Sequence, residues 1–184
     1  MNNYGGNWPL DYDDGAQFLS DSMNVFLYGG SKQYLGCCTS HHGDFMVYPD
    51  LSDNAWNACN LQAGAEQYRS GYGHSWFNNT CLLSTAAGVA YDYESCSTTN
   101  AESPPRISSY NNTFLSPAEG GGGLAAVPVS CAGAKITMSA WSAASGMEAG
   151  STTGPLPDPA ALAAQLLAYL PGPEAGGGGG AWGV

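Results

Sequence analysis

Asp11, Asp13 and Asp14 crowd together just before Gly15. Three carboxylates this close cannot all ionise cheaply without a cation or hydrogen-bond donors beside them. Under that condition one carboxyl keeps its proton as a general acid while another stays ionised as a base. Inverting glycoside hydrolysis uses such a pair. Asp13 is the candidate base, with Asp11 or Asp14 the candidate acid. In an extended segment Asp11 and Asp13 share a face and Asp14 points away. Two other readings stand beside this one. Oxygen ligands at this density suit Ca²⁺, and Asp-Asp-Gly is also ordinary turn chemistry.

The run Cys37-Cys38-Thr-Ser-His41-His42-Gly-Asp44 gathers two thiols and two imidazoles. Zinc is one reading, but adjacent ligands on one strand do not readily close a tetrahedron. Disulfide use is the other. Six cysteines, at positions 37, 38, 59, 81, 96 and 131, make an even set for disulfides in an oxidising compartment. Neighbouring Cys37 and Cys38 are expected to reach other cysteines rather than each other. His41 and His42 point to opposite faces if extended, and either one beside the acid cluster would serve as a supporting proton donor. A corner or solvent-facing histidine is the bland alternative.

Around Tyr68-Arg-Ser-Gly-Tyr-Gly-His-Ser-Trp76 the sequence offers what sugar binding needs. Tyr68, Tyr72 and Trp76 can stack on pyranose faces, and Arg69 and His74 can hydrogen-bond hydroxyls. Core packing of the same rings is the competing use. Two sequons, starting at Asn78 and Asn111, fit a secretory route.

Charge excludes several functions. The 184 residues carry 15 acids against four basic residues, a net charge of −11. Nucleic-acid binding needs a basic footprint, and anionic membranes would repel this chain. No apolar run reaches about 18 residues, so no helix spans a bilayer. Lys32, Arg69, Arg106 and Lys135 are too scattered to clamp a polyuronate, and the overall field opposes one. Hydrolysis of a neutral glycan therefore ranks above uronate elimination. No phosphate loop, dinucleotide fingerprint or serine-nucleophile elbow is present, and no cofactor beyond Ca²⁺ is suggested.

The elements that must position these residues are short. Asn24–Tyr28, Asp44–Tyr48, Trp76–Leu82 and Tyr110–Leu115 are β-like runs bounded by Gly, Pro or Asn. They recur at roughly 20 to 35 residues with no helix between them, the pattern of a solenoid. An irregular β-sandwich fits that spacing equally well. Asn at such corners tolerates left-handed backbone, and equivalent Asn can stack between coils. Thr137 caps a short helix with Trp141 facing inward. Asp158 caps another, with Pro159 in its first turn and Leu162, Leu166, Leu167 and Leu170 along one face. Residues 172–184 are Gly-rich and read as a disordered tail.

The stretch Ser109-Tyr-Asn-Asn-Thr-Phe-Leu-Ser-Pro117, then Val129-Ser-Cys131, Met138-Ser-Ala-Trp-Ser-Ala-Ala-Ser-Gly146 and Glu148-Ala-Gly-Ser151, resembles the last coil of right-handed parallel β-helix proteins of the pectate-lyase-like superfamily. Glu148 stands where Asp is commoner. Leu10–Gly15, Asn24–Gly30 and Gly71–Thr80 look like further coils of extracellular members, so the resemblance covers about residues 4 to 157. It implies an all-β solenoid of about four or five coils over residues 1–157, a C-terminal helix over 158–171, and the tail. It also implies that aspartates on parallel strands can be glycosidase residues, which bears on Asp11, Asp13 and Asp14. A solenoid needs a cap on its first coil. None precedes Tyr4, so the chain is expected to be the C-terminal part of a longer protein. The function expected is an extracellular or cell-surface module acting on or binding polysaccharide. The alternative is a non-catalytic structural or adhesive β-helix, because a fold does not fix a function.

Overall fold

The computed structural model describes residues 9–12, 15–51, 58–63, 73–93, 107–117, 123–131 and 133–169. A first circuit of the chain lays down β1 (Leu10–Tyr12), β2 (Ser20–Ser22) and β3 (Val25–Leu27). A second adds β4 (Ser31–Tyr34), β5 (Ser40–His42) and β6 (Phe45–Val47). A third adds β7 (Ala58–Ala63), β8 (His74–Phe77) and β9 (Thr80–Leu82). A fourth adds β10 (Val89–Tyr93), β11 (Ile107–Tyr110) and β12 (Thr113–Ser116). The last passes through β13 (Pro128–Cys131), β14 (Ala134–Thr137), helix α1 (Met138–Ser145) and β15 (Thr152–Pro155), and helix α2 (Pro159–Tyr169) follows.

Each sheet collects every third strand. The first runs β1-β4-β7-β10-β13 with β14 at its edge, the second β2-β5-β8-β11, and the third β3-β6-β9-β12-β15. The β13–β14 pair is antiparallel. The other ladders among the described residues are parallel. Parallel neighbours need a crossover, and here the strands of the other two sheets supply it. The architecture is all-β with parallel sheets.

The corner between the second and third sheets explains why the circuits stay in step. Met23, Gly43, Asn78, Asn111 and Gly150 all have positive φ. Gly at two of these five positions removes the steric cost, and Asn at two more lowers it. Directly after them come Asn24, Asp44, Asn79, Asn112 and Ser151. The Asn24 amide donates to Asp44 Oδ1 at 2.8 Å, the Asp44 amide to Asn79 Oδ1 at 2.9 Å, and the Asn79 amide to Asn112 Oδ1 at 3.0 Å. The Asn112 amide donates to Ser151 Oγ at 2.8 Å. Side-chain amides tie the corner inward: Asn79 Nδ2 donates to His41 O and Asn112 Nδ2 to Trp76 O. A buried N–H without a partner costs about 1–3 kcal/mol, and this file of side chains supplies the partners at the corner.

Apolar side chains fill the space between the sheets, including Phe26, Met46, Trp76, Tyr91, Phe114 and Val129. The Cys59–Cys81 disulfide joins β7 to β9 across that interior. Thr137 Oγ1 accepts the Ala140 amide at the start of α1, and Gly146 in left-handed conformation ends it. Trp141 is buried, as its helical position demands. Asp158 Oδ1 accepts the Ala160 and Ala161 amides to open α2. Leu162, Leu166 and Tyr169 pack on Val25, Leu27, Phe45, Val47, Leu82 and Leu115, so α2 covers the outer side of the third sheet. Leu167, expected on the packing face, is exposed. It lies one residue beyond Leu166, which turns it off that face. Leu170 and the tail lie outside the described residues.

The corner file makes a stability prediction. Asn79→Ala leaves the Asn24–Ser151 file broken in its middle and should cost about 2–3 kcal/mol. Asn111→Gly, at the exposed left-handed position next to the file, should stay within about 0.5 kcal/mol. Urea unfolding followed by circular dichroism checks both. Equal effects would contradict the role given to the file.

Candidate ligand-binding face

Among the described residues, those singled out for chemistry do not converge. Asp11 lies on the outer side of β1, with Lys32 Nζ 3.0 Å from its Oδ1. Asp13 and Asp14 lie outside the described residues. His41 is fully buried on β5, on the inner side, and His42 lies on the outer side of the same strand. Asp11 and His41 are thus separated by the sheets rather than brought together. His74 is buried and bonded to Thr39 Oγ1 at 2.8 Å through Nδ1. Trp76 is fully buried against Tyr91 and Phe114, so its ring offers no surface platform. Tyr68, Arg69 and Tyr72 lie outside the described residues. Asn78 and Asn111 are exposed at the corner.

Cys131 is disulfide-bonded, and Cys96 lies outside the described residues. Cys37 and Cys38, expected to reach other cysteines, are instead free thiols in contact with each other. Among the described residues no group of His, Cys, Asp or Glu is placed to hold a metal ion. Cys37, Cys38, His41 and His42 therefore do not converge on zinc, and Asp11 offers Ca²⁺ no described companion.

The interior holds an acid cluster that the sequence reading passed over. His41 Nδ1 pairs with Asp21 Oδ1, and Tyr12 donates to the same oxygen at 3.1 Å. The Tyr12 and His41 rings lie 4.8 Å apart. Asp44 is buried beside them, with its Oδ1 taken by the Asn24 backbone and side-chain amides. The second oxygens of Asp21 and Asp44 lack a hydrogen-bond partner. Burial would raise Asp21, but the hydrogen bond and charge of His41 outweigh it and hold the carboxyl low. Burial, joined by the Asp21 charge, pushes Asp44 up to about 8 against the bonds from Asn24. A proton on Asp44 thus answers both unpartnered oxygens. This cluster has its acids inside the fold, and no cleft among those described opens onto it.

On the outside, the three sheets differ. The third is covered by α2. Beside the first, a cleft of about 300 Å³ is lined by Asp50, Thr85, Asp92, Ser130 and Lys135. Its charges serve the turn after β9: the Asp50 carboxylate accepts from the backbone and hydroxyl groups of Ser84 and Thr85, and Lys135 Nζ donates to Ala87 O at 2.9 Å.

The second sheet presents two ranks. Alternation sends Asp21, His41, Trp76 and Ser109 inward, so their neighbours on both sides point outward. Register aligns Ser20, Ser40, Ser75 and Ser108 in one rank, and Ser22, His42, Phe77 and Tyr110 in the other. Phe77 and Tyr110 lie nearly parallel, their centroids 5.0 Å apart, and His42 meets Phe77 edge-on at 5.0 Å. Tyr110 is 37% exposed. Neither rank contains an acid, a lysine or an arginine. At the β11 end the face runs into a cleft of about 470 Å³ lined by Ser108, Tyr110, Ser145, Met147 and Ala149. Hydroxyls beside aromatic rings can bind a neutral, hydroxyl-rich ligand.

The sequence signal for this face is a repeat. Ser20-Asp-Ser-Met-Asn24, Ser40-His-His-Gly-Asp44, Ser75-Trp-Phe-Asn-Asn79 and Ser108-Ser-Tyr-Asn-Asn112 share one plan: outward Ser, inward residue, outward residue, left-handed corner, file residue.

Asp44 carries a prediction. The folded chain keeps a proton that the unfolded chain loses above about pH 4, so the site costs stability as pH rises from about 4 to about 8. Asp44→Asn keeps the acceptor for Asn24 and supplies a permanent donor toward Asp21. It should stabilise the protein by about 1–2 kcal/mol at pH 8 and by almost nothing below pH 4. Thermal melts across pH check this, and a variant less stable than the parent at pH 8 would contradict it. Comparison of the chain with family models, with curated proteins and with solved structures finds no match.

Proposed function

We propose that the chain is a right-handed parallel β-helix module, extracellular or at the cell surface, that binds neutral polysaccharide on the outer face of its second sheet. The every-third-strand order and the corner file support the β-helix reading. The disulfides support an oxidising compartment. The observation that carries the binding reading is the uncharged pairing of a serine rank with the His42-Phe77-Tyr110 rank. Pyranose rings have an apolar face for the aromatic rank and hydroxyls for the serine rank. Binding rather than hydrolysis is proposed, because Asp11 is engaged by Lys32 on a different sheet from His42. The net charge of −11 further selects against polyuronates.

Affinity electrophoresis and pull-down on a panel of neutral and acidic polysaccharides test this. The parent should bind at least one neutral glycan, and Phe77→Ala/Tyr110→Ala should weaken that binding at least about tenfold, some 1.4 kcal/mol, with an unchanged circular dichroism spectrum. A parent that prefers polyuronate, or a double variant that binds as well as the parent, would overturn the reading.

A structural or adhesive role is the second reading, favoured by the first circuit. Phe18, Leu19 and Met23 there are 76%, 44% and 60% exposed, an apolar group of the kind that marks contact surfaces. Concentration-dependent association in sedimentation, abolished by Phe18→Ser/Met23→Ser, would support that role. A monomer at every concentration would remove it.

A further inference from the structure

We propose that Cys37 and Cys38 form a thiol–disulfide exchange site that closes into a disulfide between neighbouring residues. Their sulfurs lie 2.6 Å apart, inside the contact distance of two unbonded sulfurs, so the pair is already arranged for closure. Among the described residues the other cysteines are taken: Cys59 and Cys81 are bonded to each other, and Cys131 is disulfide-bonded. Local backbone favours the pairing. Cys38 has φ +61°, and this left-handed corner turns its side chain back toward that of Cys37. Cys37 is buried and fixed by its bridge to Gln17, whose Oε1 lies 3.8 Å from the Cys37 sulfur. Cys38 is only half-buried, which gives a small reagent access to one of the two sulfurs. The hydrogen bond with Cys37 raises the Cys38 thiol above the ordinary range. Exchange therefore speeds up as pH rises.

The co-reactant is a small-molecule disulfide such as oxidised glutathione. One thiolate attacks it, forming a mixed disulfide and releasing one small thiol. The neighbouring sulfur then attacks the protein-side sulfur and releases the second. Two protein thiols are oxidised, one small disulfide is reduced, and the two protons end on the released thiols. The pair stands immediately before Thr39 and β5, the strand that carries both Ser40 and His42 to the outer face.

The test uses the full chain, quenched in acid, alkylated without reduction, digested and read by mass spectrometry. After incubation with oxidised glutathione, the peptide holding Cys37 and Cys38 should be unalkylated and two hydrogen masses lighter than its reduced form. In graded glutathione buffers it should gain alkyl label under less reducing conditions than the Cys59–Cys81 pair. Cys37→Ser, shown folded by circular dichroism, should trap the mixed disulfide at Cys38 at least about tenfold more than the parent does. Both cysteines alkylated after oxidation, or either one linked to a different cysteine, would overturn the proposal. So would a Cys37→Ser chain that accumulates no more adduct than the parent.

Discussion

At the corner between the second and third sheets, the backbone turns through a left-handed residue and leaves an N–H that no strand neighbour can accept. The side-chain oxygen one circuit further on accepts it, at Asp44, Asn79, Asn112 and Ser151 in turn. An unmade bond there would cost about 1–3 kcal/mol at each level. The strands on either side are short, three or four residues each. A one-residue slip would turn every inward side chain outward. The file prevents that slip, and in doing so it lines up the residues before the corner. Serine falls beside serine and ring beside ring because the same hydrogen-bond pattern recurs behind them. The candidate binding face is thus a by-product of the device that keeps the circuits in register.

The fold handles its buried carboxylates in two ways. Glu148 accepts from Tyr91, Asn112 and Ser151, with bonds of 2.8, 3.2 and 2.6 Å, and Asn112 also joins Ser109. Tyr91 lies on β10 and Asn112 at the corner before β12, while Ser151 follows Glu148 at the corner before β15, so this network ties the last two circuits together. Asp44 occupies a file position that holds Asn at 24, 79 and 112. Asn can accept from one neighbour and donate to another, whereas a carboxylate only accepts. The substitution leaves oxygens facing one another without a donor unless a proton is present, and it places a strongly perturbed carboxyl in the second circuit, near His41 and Asp21.

Much of this was legible in the sequence where the physics is local. Thr137 and Asp158 cap helices because their side-chain oxygens reach amides two or three residues on. Asn24, Asp44, Asn79 and Asn112 announce a shared corner because few residues tolerate what precedes them. The candidate chemistry was harder to read, because it depends on which sheet and which side each strand belongs to. The sequence puts His41 or His42 beside the acid cluster at Asp11, Asp13 and Asp14 if their separation of 27 to 31 residues is near one circuit. The first circuit is shorter: Asp21 pairs with His41 at a separation of 20 residues. Lys32, on the first sheet, is what register sets beside Asp11. Loops of unequal length at the corners change circuit length while strand pairing stays fixed, so spacing alone misplaced the partner. Trp76 and His74 share a strand with Phe77 and Ser75, and alternation decides which pair faces outward. Without the side assignment, the more conspicuous tryptophan drew the attention that belongs to its neighbour.

The claim at the centre of this account is that register delivers two uncharged ranks to one open face and that the face meets the ligand. Backbone-amide NMR titration of the isotope-labelled chain with a soluble neutral oligosaccharide addresses it residue by residue. The account predicts shifts confined to Ser40–His42, Ser75–Phe77 and Ser108–Tyr110, with further changes at Ser145–Ala149. Shifts centred instead on β4, β10 and β13 of the first sheet, or a spectrum that no neutral oligosaccharide perturbs, would contradict it.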